Sequence, residues 1–102
     1  MIEKQISDGT VTLRVNGNIV ASMANSLKKE MLPLLKEDYT GYTIDFENVD
    51  SIDSSGVGVL IAAQNDLEKK GAQLTVINVS DPILKMFKIM RLDRHFNVHS
   101  KN

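Results

Sequence analysis

The spacing of the apolar residues changes along this chain, and the change limits its fold more than any other feature. Val11, Leu13 and Val15 alternate with Thr12 and Arg14, the period of two that belongs to a half-buried strand. Ile2 to Ser7 supplies a partner strand, and Asp8-Gly9 between them signals a hairpin whose two central residues need positive φ. From Ser22 the period lengthens. Met23, Leu27, Met31, Leu34 and Leu35 recur at helical spacing around Lys28, Lys29 and Glu30. Ser22 is the expected N-cap. Pro33 lacks a donor and crowds the preceding turn, so the helix is expected to kink or end near it.

The alternation then repeats. Tyr42 to Phe46 reads as a strand, and Val57, Leu60, Ile61 and Leu67 mark a helix from about Ser55 to Lys70. Gly71 follows, in the place that favours a left-handed C-cap. Leu74 to Ile77 is a further inner strand, rich in β-branched residues. Asp81-Pro82 opens the last helix, with Asp81 expected to cap and Pro82 to take the first helical position. Its apolar stripe is Ile83, Leu84, Phe87 and Met90, and Phe96 to Val98 forms a short closing strand. Strands alternating with helices after an opening hairpin give an α/β class: a mixed sheet with an antiparallel N-terminal hairpin and parallel crossovers, packed with helices. With 102 residues, the chain suits one domain over residues 1–102.

Composition narrows the function. The chain has no cysteine, which excludes disulfides and thiolate metal sites. Met1-Ile2-Glu3-Lys4-Gln5 carries an acid and no apolar core, so it does not read as a signal peptide. The longest apolar run, Val57 to Ala63, falls well short of the ~20 residues that cross a bilayer. A cytoplasmic protein is expected, with no membrane partner. Net charge is −1, which gives no global attraction to nucleic acid. Its distribution is uneven: residues 1–68 hold 5 Lys and Arg against 11 Asp and Glu, residues 69–102 hold 7 against 2. The acids gather at Asp45, Glu47, Asp50 and Asp53.

These acids adjoin the most informative stretch, Ile52-Asp53-Ser54-Ser55-Gly56-Val57-Gly58-Val59-Leu60. It lies where a strand passes into a helix. Ser55 falls at the positive end of the helix dipole, with Gly56 and Gly58 permitting close approach from outside. On spacing alone, Asp-Ser-Ser-Gly also fits an ordinary helix cap with no further role.

The stretch resembles the signature of the anti-sigma factor antagonists, a family of STAS domains. The likeness extends along nearly the whole chain. Ile44-Asp45-Phe46-Glu47-Asn48-Val49 resembles the family strand upstream, and Gly71-Ala72-Gln73-Leu74-Thr75-Val76 the strand that follows the helix. Ser80-Asp81-Pro82-Ile83 and Phe87-Lys88-Ile89-Met90-Arg91-Leu92-Asp93 resemble the last helix and the turn beyond it. The resemblance implies that Ser55 is phosphorylated by a partner that is both anti-sigma factor and serine kinase. The unmodified chain then binds that partner and frees a sigma factor, the phosphorylated chain does not bind, and a phosphatase resets the cycle. Asp53, Ser54 and Gly56 are the implied contact residues around Ser55.

One segment departs from the family. A Gly-Glu-Leu-Asp-like stretch usually engages the kinase; here it reads Gly17-Asn18-Ile19-Val20. Asn18 is neutral and Val20 replaces an acid, so the contact at these two positions differs in chemistry. That keeps open an alternative, a STAS adaptor in a transport, chemotaxis or sensory complex without a sigma factor. Met86 is a further candidate for the partner-facing surface, since methionine adapts to such contacts.

Catalysis is not expected. Ser55, Asp53 and either His95 or His99 supply the residue types of a triad, but there is no Gly-x-Ser-x-Gly elbow, and neither histidine is near the motif. Two histidines four apart in a strand do not share a metal-binding face. Gly56-Val57-Gly58 lacks the Lys-Ser/Thr of a phosphate-binding loop, so no cofactor is assigned. Lys85, Lys88, Arg91 and Arg94 read as cations that complement the end of a helix, without the motifs of nucleic-acid binding. A monomer is expected.

Overall fold

The computed structural model of the chain describes residues 1–101; Asn102, the end of the expected domain, lies outside the described residues. A hairpin opens the fold, β1 (Ile2–Ser7) against β2 (Thr10–Asn16), paired antiparallel. Asp8 and Gly9 take φ of 52° and 82°, as the two-residue turn requires. The chain continues through α1 (Ala21–Leu35), β3 (Gly41–Asn48), α2 (Ser54–Glu68), β4 (Leu74–Val79) and α3 (Asp81–Ile89). A short 3-10 turn over Leu92–Arg94 leads to β5 (Asn97–Ser100). The five strands lie in sequence order, and every pair after the hairpin is parallel. Each parallel step crosses through a helix, the short connection that such a pairing demands.

Alternation within the strands separates the two faces. Val11, Leu13 and Val15 on β2, with Tyr42, Ile44 and Phe46 on β3, are buried in one cluster. Leu27 and Met31 of α1, Leu60 and Leu67 of α2, and Phe87 of α3 join the same cluster. Three aromatic rings tie the last elements to the sheet. Phe87 lies 6.3 Å from Phe46 and 5.8 Å, edge-on, from Phe96, within the range of favourable ring pairs.

Several boundaries differ from the sequence expectation. The N-cap of α1 is Val20, not Ser22, and no side chain caps it. The chain leaves the bridge between Ile19 and Ile52 directly into the helix, so the cap position falls on an apolar residue. Pro33 lies inside the last turn, and α1 ends two residues beyond it, so the donor it lacks is missing near the end of the helix and not in its middle. The second helix starts at Ser54 and stops at Glu68, with Gly71 at φ 73° soon after. Ser80 occupies the N-cap of α3 without a side-chain hydrogen bond. Asp81 is therefore the first helical residue and Pro82 the second, where a carboxylate still complements the dipole.

Met90 leaves the expected stripe. It follows the last residue of α3 and is 47% exposed. Because α3 ends at Ile89, only Lys88 of the four cations lies in its last turn; Arg91 takes a left-handed backbone, and Arg94 belongs to the 3-10 turn. The closing strand is shifted by one residue at its start, and His99 lies in it while His95 does not.

Candidate functional site

Strands β2, β3 and β4 are parallel, so their carboxyl ends share one edge of the sheet, and α1, α2 and α3 all begin there. In open α/β sheets this edge is the usual place for a functional crevice. Two of its loops are joined. Ile19 N donates to Ser51 O at 3.0 Å, and Asp53 N donates to Ile19 O at 3.1 Å. Asp50 N donates to the Asn18 side-chain oxygen at 3.3 Å. Residues 32 to 34 positions apart in sequence are thereby fixed side by side, and Asn18 and Val20 are placed in the loop paired with the one that carries Asp53.

Asp53 is the N-cap of α2. Its Oδ1 accepts the amides of Ser55 at 3.0 Å and Gly56 at 3.2 Å, and the Ser55 hydroxyl at 2.5 Å. Two of the free donors at the helix start are thus satisfied by one oxygen. The Ser55 hydroxyl, with the Gly56 and Ser55 amides, holds the Asp53 carboxyl below its ordinary value, because each bond favours the charged form. Asp53, Ser54 and Ser55 are all exposed. The hydroxyl of Ser55 is reachable from solvent and has a carboxylate, not an imidazole, as its partner.

Gly56 corrects an expectation. It is buried, and a Cβ built on it would lie 2.6 Å from both Ile19 and Ile52. This glycine admits the paired loops from within the fold and offers nothing to a partner outside. Gly58 is the open one: it is exposed, with nothing within 4 Å of a built Cβ.

The acidic run also divides. Asp45 is buried in the sheet, held by Arg14 through Nε and Nη2 at 3.1 Å and by Asn78 Nδ2 at 2.9 Å. Burial raises its carboxyl pKa, but the Asn78 side chain, the Glu47 amide and Arg14 outweigh that, and the net shift is downward. It is a structural ion pair, not part of the exposed edge. Met86 is half-buried and packs against the core; it takes no part in the hydrogen bonds around Asp53.

Sequence reasoning missed a groove between α1 and α2. It has a volume of about 270 Å³, and Ser55 is one of its lining residues, with Lys28 and Leu32 on the α1 side and Gly58 on the α2 side. The four belong to two helices separated by a strand, so no local pattern joins them.

Residues 1–101 match the family described as the STAS domain. The chain belongs to that family. This STAS domain is 25% identical over 91 residues to the anti-sigma-B factor antagonist of Staphylococcus aureus, covering 89% of this chain and 84% of that protein. An anti-sigma factor antagonist from Mycobacterium paratuberculosis superposes with a TM-score of 0.86 at 20% identity, over 97% of this chain and 84% of that one. The Bacillus cell fate determinant SpoIIAA, in its phosphorylated form, superposes with a TM-score of 0.76 at 20% identity, over 96% and 90%. At these identities the two structures establish the fold. None of the helices among the described residues is long and apolar enough to cross a membrane.

Proposed function

We propose that this STAS domain is an anti-sigma factor antagonist switched by phosphorylation of Ser55. Unmodified, it binds an anti-sigma factor that is also a serine kinase; phosphorylated, it is released, and a phosphatase restores it. The observation that carries this reading is the exposed Ser55 hydroxyl at the start of α2, fixed by Asp53. The name of the Staphylococcus relative and the phosphorylated state of a structural neighbour support the same reading.

The chemistry suits the place. In the transfer, Ser55 Oγ bonds to the terminal phosphorus of a nucleoside triphosphate held by the kinase, the bond to the diphosphate breaks, and the hydroxyl proton passes to a base. The product adds about −1.5 to −2 charges. The helix dipole favours an anion at a helix start and Ser55 is exposed, so the fold tolerates the modification. The partner surface is what changes. Asp53, Ser54, Asn18 and Val20 are the proposed contacts, with Val20 49% exposed. Met86 belongs to the set only as a rim residue on α3. The reading assigns the chain no catalytic role and no cofactor, and takes it as a cytoplasmic monomer.

The exposed Val20 favours a second reading in which the partner meets an apolar surface, as an adaptor in a transport, chemotaxis or sensory complex. One experiment decides. Incubation with the cognate kinase and ATP should place phosphate on Ser55 by mass spectrometry, Ser55→Asp should lose the kinase, and Ser55→Ala should bind it constitutively. Phosphate found only on another residue, or equal binding of Ser55→Asp, would sink the antagonist reading.

A further inference from the structure

Asn16-Gly17 is the one Asn-Gly pair in the chain. It falls at the end of β2, where the strand passes into the loop that carries Asn18 and Val20. In such a pair the backbone nitrogen of the second residue can attack the side-chain carbonyl carbon of the first, because glycine has no Cβ to hinder the approach. Gly17 N bonds to Asn16 Cγ and gives up its proton to solvent, while the bond from Cγ to Nδ2 breaks and ammonia leaves. Water then opens the succinimide ring at either carbonyl, which leaves aspartate or isoaspartate at position 16.

In the fold, every group this reaction needs is engaged. Asn16 Nδ2 donates to Glu3 Oε2 at 2.8 Å, and Asn16 Oδ1 accepts from Asn48 Nδ2 at 2.6 Å. An amide held at both ends cannot turn the face of its carbon toward Gly17. The Gly17 N–H donates to Asn48 O at 3.2 Å, and the Asn16 N–H donates to Met1 O at 2.8 Å. Two of these four bonds therefore come from Asn48, in the interior strand β3, and two from the start of the chain and the edge strand β1. Within β1 only Ile2 is half-buried, and the other five residues are exposed. An edge segment with so little burial opens more cheaply than the core.

We propose that Asn16 is a deamidation site, kept closed by Glu3 and Asn48 while β1 is in place and open to reaction when β1 separates from β2. Either product changes the edge that carries Asp53. Aspartate places a carboxylate where Nδ2 met Glu3, and two acids this close repel. Isoaspartate carries the main chain through the former side chain and inserts one methylene between β2 and Ile19. The bonds of Ile19 to Ser51 at 3.0 Å and to Asp53 at 3.1 Å then lose their register. The change is irreversible without a repair reaction, and it acts on the loop whatever partner that loop meets.

The test is a peptide map by mass spectrometry of the full chain held in mildly alkaline buffer, folded and in urea, resolving asparagine, aspartate and isoaspartate at position 16. Conversion in the folded wild type should be slower than in urea by about ten-fold or more. Glu3→Ala should speed the folded reaction several-fold. Lys4→Ala alters the next residue of the same strand and spares the bond to Asn16, so it should leave the rate near that of wild type. Asn16→Asp should melt below wild type, which reads the consequence apart from the reaction. Equal rates in the folded chain and in urea would overturn the protection, as would equal rates for Glu3→Ala and Lys4→Ala. No conversion at position 16 in urea would remove the site itself, and wild-type melting of Asn16→Asp would remove its effect on the edge.

Discussion

The hydroxyl of Ser55 and the carboxylate of Asp53 lie 2.5 Å apart, and the same carboxylate oxygen accepts the first amides of α2. Capping and presentation of the hydroxyl are therefore one arrangement. Asp53→Ala should lower the melting temperature and also free the Ser55 side chain. Asp53→Asn retains an acceptor oxygen and should recover most of the stability, yet it lacks the charge that orders the hydroxyl. The expected result is near wild-type melting of Asp53→Asn with slowed phosphorylation of Ser55, read by calorimetry and by a kinase time course. Equal phosphorylation rates for Asp53→Asn and wild type would show that the carboxylate serves the helix alone.

Two glycines in the same helix should respond oppositely to alanine. Both gain about 1 kcal/mol in helix propensity. At Gly58 nothing lies within 4 Å of the new methyl, so Gly58→Ala should stabilise by about 0.5–1 kcal/mol. At Gly56 the methyl would sit 2.6 Å from Ile19 and Ile52, and overpacking costs about 1–3 kcal/mol. The cost exceeds the gain, and Gly56→Ala should be less stable than wild type in urea unfolding. Because Ile19 and Ile52 hold the two loops of the edge together, it should also weaken the kinase.

The period of the apolar residues made the order of strands and helices legible, since burial on one face imposes it. The caps were less so. At Asp53 the side chain faces the amides it caps, and the motif predicted the neighbourhood correctly. At Ser80 and Val20 the place where the chain leaves the sheet sets the cap, and that depends on pairing across the fold. Gly56 and Gly58 look alike in sequence, and the approach of Ile52 and of Ile19, 37 positions away, separates them. Asp45 sits next to the acidic run, but the alternation of β3 turns it toward Arg14, a partner fixed by the register of β2 and β3. Non-local register hid these residues.

Gln64 is a polar side chain inside the core, 2% exposed. Its oxygen accepts the Leu74 amide at 2.8 Å, and its nitrogen donates to Glu68 at 3.1 Å. It thus ties α2 to the start of β4 and satisfies an amide that no water reaches. Gln64→Leu keeps the volume but leaves the Leu74 amide unpaired, at a cost of about 1–3 kcal/mol. Urea unfolding should show that loss with kinase binding unchanged, since Gln64 lies outside the edge and the groove. A stability within error of wild type would mean that the Leu74 amide finds another acceptor.

The pair of Asp45 and Arg14 gives the fold an acid-sensitive point distinct from the switch. The Asp45 carboxyl is depressed in the folded chain, so its contribution is fully present above the unfolded value near pH 4. It is lost as pH falls through the lower folded value, where the native state must take up a proton that the unfolded chain already holds. Asp53 shifts in the same direction and adds to the slope. Asp45→Asn removes the titrating group and faces Arg14 with an amide, which should cost about 1–2 kcal/mol at neutral pH through a weakened charged hydrogen bond. Stability measured by urea unfolding from pH 7 to pH 2 should therefore fall less steeply below pH 4 in Asp45→Asn than in wild type, the two curves converging as acid protonates the wild-type carboxyl. Parallel curves across that range would mean that Asp45 titrates alike in the folded and unfolded chains, and that Arg14 and Asn78 contribute packing without charge stabilisation.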